Sequence, residues 1–210
     1  MKKIPFECKI GRQTYYCLAN DWKKDNYRYS LELSKILDPE KTILVIGLNP
    51  GGKTDPEKLH FGNTIRRVLR NVIEKYDRVL FVNLTPVIAL TSKSLNEEVN
   101  KDKMNSYHGK NLLAISTLIR QRCNRISNVL LCYGNSFKYG KELFSDVLQL
   151  INNELPDAKC WCFGLSDKGY PYHPLARKQE MALEECRLEV LSLGPGQPHQ
   201  ILAPLSSSRR

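Results

Sequence analysis

Asn49, Asn83, Asn135 and His173 are polar groups able to hydrogen-bond a ligand, and each comes after an apolar run that stops at small or polar residues. The clearest case is ILVIGLNPGG, residues 43–52, where the run ends at Gly47 and Asn49, Pro50, Gly51 and Gly52 enter a loop. Such a run between turn formers predicts a buried strand, and the residues past its carboxyl end sit where open α/β sheets place ligands. Gly51 and Gly52 lack a β-carbon, so the backbone there can approach a ligand and adopt positive φ. The same four residues would also serve a plain strand-to-loop turn.

Three further segments repeat the pattern: Phe81-Val82-Asn83-Leu84-Thr85, Tyr133-Gly134-Asn135, and Gly164-Leu165-Ser166 leading on to His173-Pro174-Leu175. In a parallel sheet all these carboxyl ends share one edge, so groups far apart in sequence are expected to converge on one cleft. Taken singly, each asparagine is equally explained as a turn or helix cap.

The elements that must position these residues alternate. Residues 6–18 and 27–33 read as short strands, an antiparallel pair ahead of the main sheet. Strand 43–47 is followed by a helix over 64–76, in which Ile65, Val68, Leu69, Val72 and Ile73 recur at helical spacing after an Asn63 or Thr64 cap. Strands over 78–84, 128–132 and 159–163 alternate with helices over 111–122 and 137–152, and 93–107 reads as a polar stretch. This order predicts right-handed crossovers and a three-layer α/β/α fold around a mostly parallel four-stranded sheet. One domain is expected over residues 1–193. Residues 194–210, rich in Gly, Pro and Ser, read as a disordered or non-native extension.

Composition narrows the partners. The 210 residues carry 32 Lys and Arg against 22 Asp and Glu, a formal net charge of +10, which favours polyanions and nucleic acid first. No apolar run reaches membrane-spanning length and the N-terminus lacks a secretory signal, so a cytoplasmic protein with no membrane partner is expected. Seven cysteines show no CxxC pair or zinc-type spacing and read as reduced thiols; Cys160 and Cys162 flank Trp161 on one face of a strand.

The ordered set of segments resembles the uracil-DNA glycosylase superfamily. Gly47-Leu48-Asn49-Pro50-Gly51 matches its first motif, G-[IM]-N-P-G, in the form of the thymine-mismatch and single-strand-selective branches. Phe81-Val82-Asn83-Leu84-Thr85 matches the L-L-N-[TA] strand end, Tyr133-Gly134-Asn135 the W-G strand end, and His173-Pro174 the start of H-P-S-P. The likeness covers roughly residues 40–180, and the run from NPGG through GNTIRR to NLTP also looks like a poorly characterised subfamily.

The resemblance implies a uracil-DNA-glycosylase-like fold and a monofunctional DNA N-glycosylase that extrudes a nucleotide, cleaves its N-glycosidic bond and leaves an abasic site. On that basis Asn49 would hold the attacking water and His173 would donate a hydrogen bond to the departing base. Asn83 would read the base edge, with Leu48, Gly51, Gly52 and Asn135 completing the pocket. DNA, as a duplex with a flipped base or as a single strand, would be the partner of a monomer needing no cofactor and no metal.

Two departures refine the expectation. The aromatic that screens 5-substituted pyrimidines is replaced by Gly51 and Gly52, which predicts a roomy pocket for a bulky 5-modified base such as a hypermodified phage base. HPLARK replaces H-P-S-P-L-S, leaving Leu175 or Arg177 to fill the gap in the stack. Arg66, Arg67 and Arg70 on one helix face, with Lys168, Arg177 and Lys178 around His173, are candidate phosphate contacts, although a solvated helix face carries such charges too. Tyr170 and Tyr172 either stack on a base or pack their loop, and His108 reads as a surface histidine. A non-catalytic module with the same fold and a nucleoside or nucleotide N-glycosidase remain the alternatives. DNA repair and antiviral defence are both compatible with the pocket.

Overall fold

The computed structural model describes residues 3–10, 13–20, 26–51, 61–176, 182–191 and 199–204. Four strands form the centre: β4 (Thr42–Gly47), β5 (Arg78–Asn83), β6 (Ile126–Leu131) and β7 (Lys159–Cys162). They pair in parallel in the spatial order β5-β4-β6-β7. Both faces of these strands are covered, and each alternates its side chains between two cores. Leu44, Ile46, Leu80, Val82, Val129 and Leu131 enter one core, while Ile43, Val45, Val79, Phe81, Leu130 and Cys132 enter the other.

Helix α1 (Asn63–Val72), the crossover from β4 to β5, covers the second face with Ile65, Val68, Leu69 and Val72. Helices α3 (Lys101–Arg120) and α4 (Gly140–Glu154) cover the first, contributing Met104, Tyr107, Ile115, Ile119, Leu143, Phe144, Val147, Leu148 and Ile151. The chain therefore leaves β4 over one face and returns to β6 over the other. That reversal beside β4 is the switch point at which open α/β sheets leave a crevice outside their strand ends. The general α/β class expected from the sequence is present.

The sheet is larger than the expected four strands. Strands β1 (Lys3–Ile10), β2 (Gln13–Asn20) and β3 (Leu31–Ser34) extend it antiparallel beyond β5. Strands β8 (Glu184–Leu191) and β9 (His199–Pro204) extend it antiparallel beyond β7, giving nine among the described residues. The expected strand 6–18 divides into β1 and β2, which pair antiparallel from Ile10 opposite Gln13. The expected strand 27–33 shrinks to β3. In the region read as a tail, residues 199–204 form a strand because β8 offers an edge to pair with, a tertiary cause that local composition does not reveal.

The polar stretch 93–107 is helical. A short helix α2 (Ser92–Glu98) is capped by Thr91, whose hydroxyl accepts from Ser94 N at 3.1 Å. The Asn100 side chain accepts from Lys103 N at 2.8 Å and starts α3 ten residues earlier than expected. Its buried stripe of Met104, Tyr107, Asn111, Ala114, Ile115 and Leu118 keeps helical spacing. A buried asparagine and an intervening Gly109 blur that stripe in the sequence.

Candidate active site

A cavity of about 350 Å³ opens at the carboxyl edge of the parallel strands, on the α1 face, beside the switch point. Its lining brings together Asn49 from the loop after β4, Asn83 from the end of β5 and His173 from the segment after β7. Leu48, Gly51 and Leu175 line it as well. Three polar groups separated by up to most of the chain thus meet in one crevice.

The loop carrying Asn49 is held by an extension of the sheet ladder. Leu84 N donates to Gly47 O at 2.9 Å, Thr85 N to Leu48 O at 3.0 Å and Ala89 N to Pro50 O at 3.3 Å. The Asn49 side-chain nitrogen donates to Pro50 O at 3.1 Å and Ala89 O at 3.0 Å. Two carbonyl acceptors identify that atom as the NH₂ and leave Oδ1 as the acceptor for a ligand or water. Gly47 leaves room for the Asn83 side chain, since a β-carbon there would stand 2.6 Å from Asn83 Oδ1 and displace it. Behind the site, the wholly buried Asn111 of α3 donates to Asn83 O at 2.9 Å and Leu84 O at 3.1 Å, anchoring the end of β5.

His173 arrives on a hairpin-like segment. Tyr172 N donates to Gly164 O at 2.9 Å, and Gly134 N donates to Pro171 O at 3.1 Å, laying the segment along the end of β6. Gly134, at φ +70°, permits the approach, since its β-carbon would meet His173 Cβ at 3.3 Å. The backbone N–H of Leu175 donates to His173 Nδ1 at 3.2 Å. With Nδ1 an acceptor, the proton of the neutral ring belongs on Nε2, which becomes a donor. Burial holds the imidazole below its ordinary pKa, favouring this neutral form.

The sequence missed two features of the cavity. Arg28 lines it while only 3% exposed, and burial lowers its pKa to about 10. It stands ahead of β3 in a segment with no motif, so only the fold reveals it. Leu90, 67% exposed, shares the cavity rim with the 44% exposed Leu175.

Other expected site residues are placed differently. Asn135 is exposed and lies outside the cavity lining, which its neighbour Ser136 joins instead, because the chain turns away at Gly134. Gly51 lines the cavity without positive φ; its contribution is space, since among the described residues nothing stands within 4 Å of where a β-carbon would be. Neither Asn63 nor Thr64 caps α1, whose N-cap is Gly62 with no side-chain cap.

Arg67 turns inward, its Nη1 donating to Pro174 O at 2.8 Å, so it clamps the His173 segment to α1. Arg66 and Arg70 are exposed on α1 and Lys168 is exposed in the turn before Tyr170. Tyr170 and Tyr172 pack against the two cores and line no part of the cavity. His108 is mostly buried, with Nε2 2.6 Å from Asp146 Oδ2, and ties α3 to α4. Cys17, Cys123, Cys132, Cys160, Cys162 and Cys186 are free thiols. Among the described residues no cluster suited to a metal ion occurs, and no helix is long and apolar enough to cross a membrane. Gly52, Arg177 and Lys178 lie outside the described residues.

A family profile described as "Protein of unknown function (DUF1643)" matches residues 28–175, a span that begins at Arg28 and ends at Leu175. No curated protein matches the chain. One solved structure, a Bacteroides fragilis protein described as a candidate acetyl xylan esterase, is similar at 17% identity with a TM-score of 0.40. That likeness covers 74% of this chain and 46% of the other, so the chain spans under half the length of that neighbour.

Proposed function

The chain belongs to the family described as Protein of unknown function (DUF1643), and from its own cavity we propose that it is a monofunctional DNA glycosylase of uracil-DNA-glycosylase-like fold, acting on a pyrimidine everted from DNA. The observation that carries this reading is the meeting of Asn49, Asn83 and His173 in one cavity at the sheet's switch point. The motif resemblance and the +10 charge lend it support.

In the proposed reaction the bond between sugar C1′ and the base nitrogen breaks, and water oxygen bonds to C1′. Asn49 Oδ1 accepts a hydrogen bond from that water and holds it in line, because its NH₂ is committed to Pro50 and Ala89. His173 Nε2–H donates to a carbonyl oxygen of the base as negative charge grows there, leaving the ring neutral. Asn83 presents an acceptor and donors to the base edge. The water's proton ends on the bulk solvent or the released base. Leu175 and Leu90 at the rim would hold the gap in the stack, and Arg66, Arg70 and Lys168 would engage phosphate.

Space above Gly51 extends the reading to bulky 5-substituted pyrimidines, hence to modified phage DNA as well as to damaged bases. The test is incubation of the full chain with unmodified and phage-modified genomic DNAs, scoring alkali-labile sites and released bases by mass spectrometry. Release by the native chain and its loss in Asn49→Ala are expected. No release from any DNA, with Asn49→Ala indistinguishable from wild type, would favour the non-catalytic module.

A further inference from the structure

A second cavity, of about 280 Å³, opens at the amino edge of the parallel strands, the edge opposite Asn49 and His173. Its lining includes Arg78, the first residue of β5, and Arg122, in the connection from α3 to β6. Tyr16 of β2 and Ser34 of β3 share the sheet face with Arg78, because Tyr16 pairs with Ser34 and Ser34 with Arg78.

Two guanidinium atoms in this cavity lack an acceptor. Arg78 is only 6% exposed; its Nε stands 2.8 Å from Glu32 Oε1, while its Nη1 is buried with no hydrogen-bond partner. Arg122 Nε is buried and unpartnered as well, and its Nη1 donates to Gln121 O at 3.2 Å. A buried donor left unpaired is costly, and more so on a charged group. The neighbouring acids are committed: Glu32 to Arg78, and Asp38 to Arg125, whose Nη1 donates to it at 2.6 Å and to Pro39 O at 2.8 Å. Burial, and after it the charges of Arg122 and Arg125, press the Arg78 pKa below its ordinary value against the pull of Glu32. An oxygen acceptor bearing negative charge would satisfy both donors and relieve the repulsion, and the guanidinium fork is shaped for carboxylate or phosphate.

The remaining lining indicates what carries that acceptor. Leu18, Ile36 and Leu37 also face the cavity, and Leu37 is 80% exposed. Their turn is fixed in advance, since the Ser34 hydroxyl donates to Ile36 O at 2.6 Å and Lys35 N donates to Asp77 O at 2.8 Å. The volume matches on the order of nine liquid water molecules, room for a ring as well as its acid group.

We propose that this second cavity binds a small organic anion, a carboxylate or phosphate monoester on an apolar body, its oxygens accepting from Arg78 Nη1 and Arg122 Nε while Tyr16, Ile36 and Leu37 enclose the body. The inference stands apart from the glycosylase reading, because the two cavities share no described lining residue.

The test is calorimetric titration of the full chain with phenylacetate, its neutral amide phenylacetamide, phenyl phosphate and inorganic phosphate. At least one of the two phenyl anions is expected to bind about tenfold or more tighter than phenylacetamide, and the tighter of them names the acid group. Arg122→Gln should weaken that anion about tenfold, Leu37→Ser should weaken the phenyl anions but not inorganic phosphate, and Asn49→Ala should leave their binding unchanged. Equal binding of phenylacetamide and both phenyl anions by the native chain would overturn the proposal, and that comparison needs no variant to fold. Anion binding that survives Arg122→Gln, or that is lost in Asn49→Ala, would overturn it by locating the anion elsewhere. Inorganic phosphate binding as tightly as phenyl phosphate would remove the apolar body and overturn the ligand class.

Discussion

At Asn49 the chemistry depends on which amide atom is free. Its nitrogen serves Pro50 and Ala89 carbonyls, so Asn49→Asp, though isosteric and more basic, would set a carboxylate against two carbonyl oxygens. We expect that variant to lose about 1–3 kcal/mol of stability and to fall in activity rather than gain, measured by denaturant titration and single-turnover base release. For His173, removing the donor in His173→Ala should lower kcat by about 10²–10³-fold while DNA affinity holds, the split expected of a group acting on the departing base. Its pKa is depressed in the folded state from the ordinary 6.5, so the unfolded chain takes up the proton first as pH falls. Stability contributed by the neutral ring is therefore present above about pH 6.5 and lost below it. Thermal melts from pH 8 to 5 should show the native chain losing its advantage over His173→Gln across that window. Gly51→Tyr should fold within about ±0.5 kcal/mol of wild type, because no described residue stands within 4 Å of where its β-carbon would be, and should exclude bulky 5-substituted bases while sparing uracil. Asn49 and Gly51 were legible in the sequence because they follow the end of an apolar run, and His173 because it opens the His173-Pro174 pair after the last one. Arg28 was not, because nothing local distinguishes a buried arginine that lines a cavity from an exposed one on a strand.

Among the elements, the parallel strands β4 to β7 and helix α1 followed directly from apolar runs and helical spacing, where local pattern and tertiary burial agree. Elements whose cause is tertiary stayed hidden. Strand β9 exists through pairing with β8, and the first turns of α3 exist through the Asn100 cap and burial of Met104 and Tyr107 beneath a polar exterior. The approach of β6 to the His173 segment depends on Gly134, where an added methyl would face both positive φ and a 3.3 Å contact. Gly134→Ala should cost about 1–2 kcal/mol and displace the imidazole, seen as a lower melting temperature and a larger loss in kcat than in affinity. Arg67, expected on a DNA-facing stripe, is drawn inward by the Pro174 carbonyl. Periodicity gives the face of a residue but not the reach of a long side chain to a distant backbone.

For the whole molecule, the sheet order β5-β4-β6-β7 explains why an early amide and a late imidazole share a crevice: the crossover from β4 to β5 runs over one face and that from β5 to β6 over the other. The antiparallel extensions on both flanks enlarge the sheet without altering that edge. Net charge of +10 bears on association. Duplex affinity should fall linearly in log-log terms with salt, and Arg66→Ala and Arg70→Ala should each reduce the slope by about one while leaving base preference unchanged. The measurement that tests the central claim most directly is mass-spectrometric detection of free base from modified and unmodified DNA with the native chain and with Asn49→Ala. Free base and alkali-labile sites from the native chain, reduced about a hundredfold or more in the variant, are the expected result. Absence of free base from every substrate, or equal yield from both proteins, would contradict the assignment of Asn49 and His173 to one hydrolytic site.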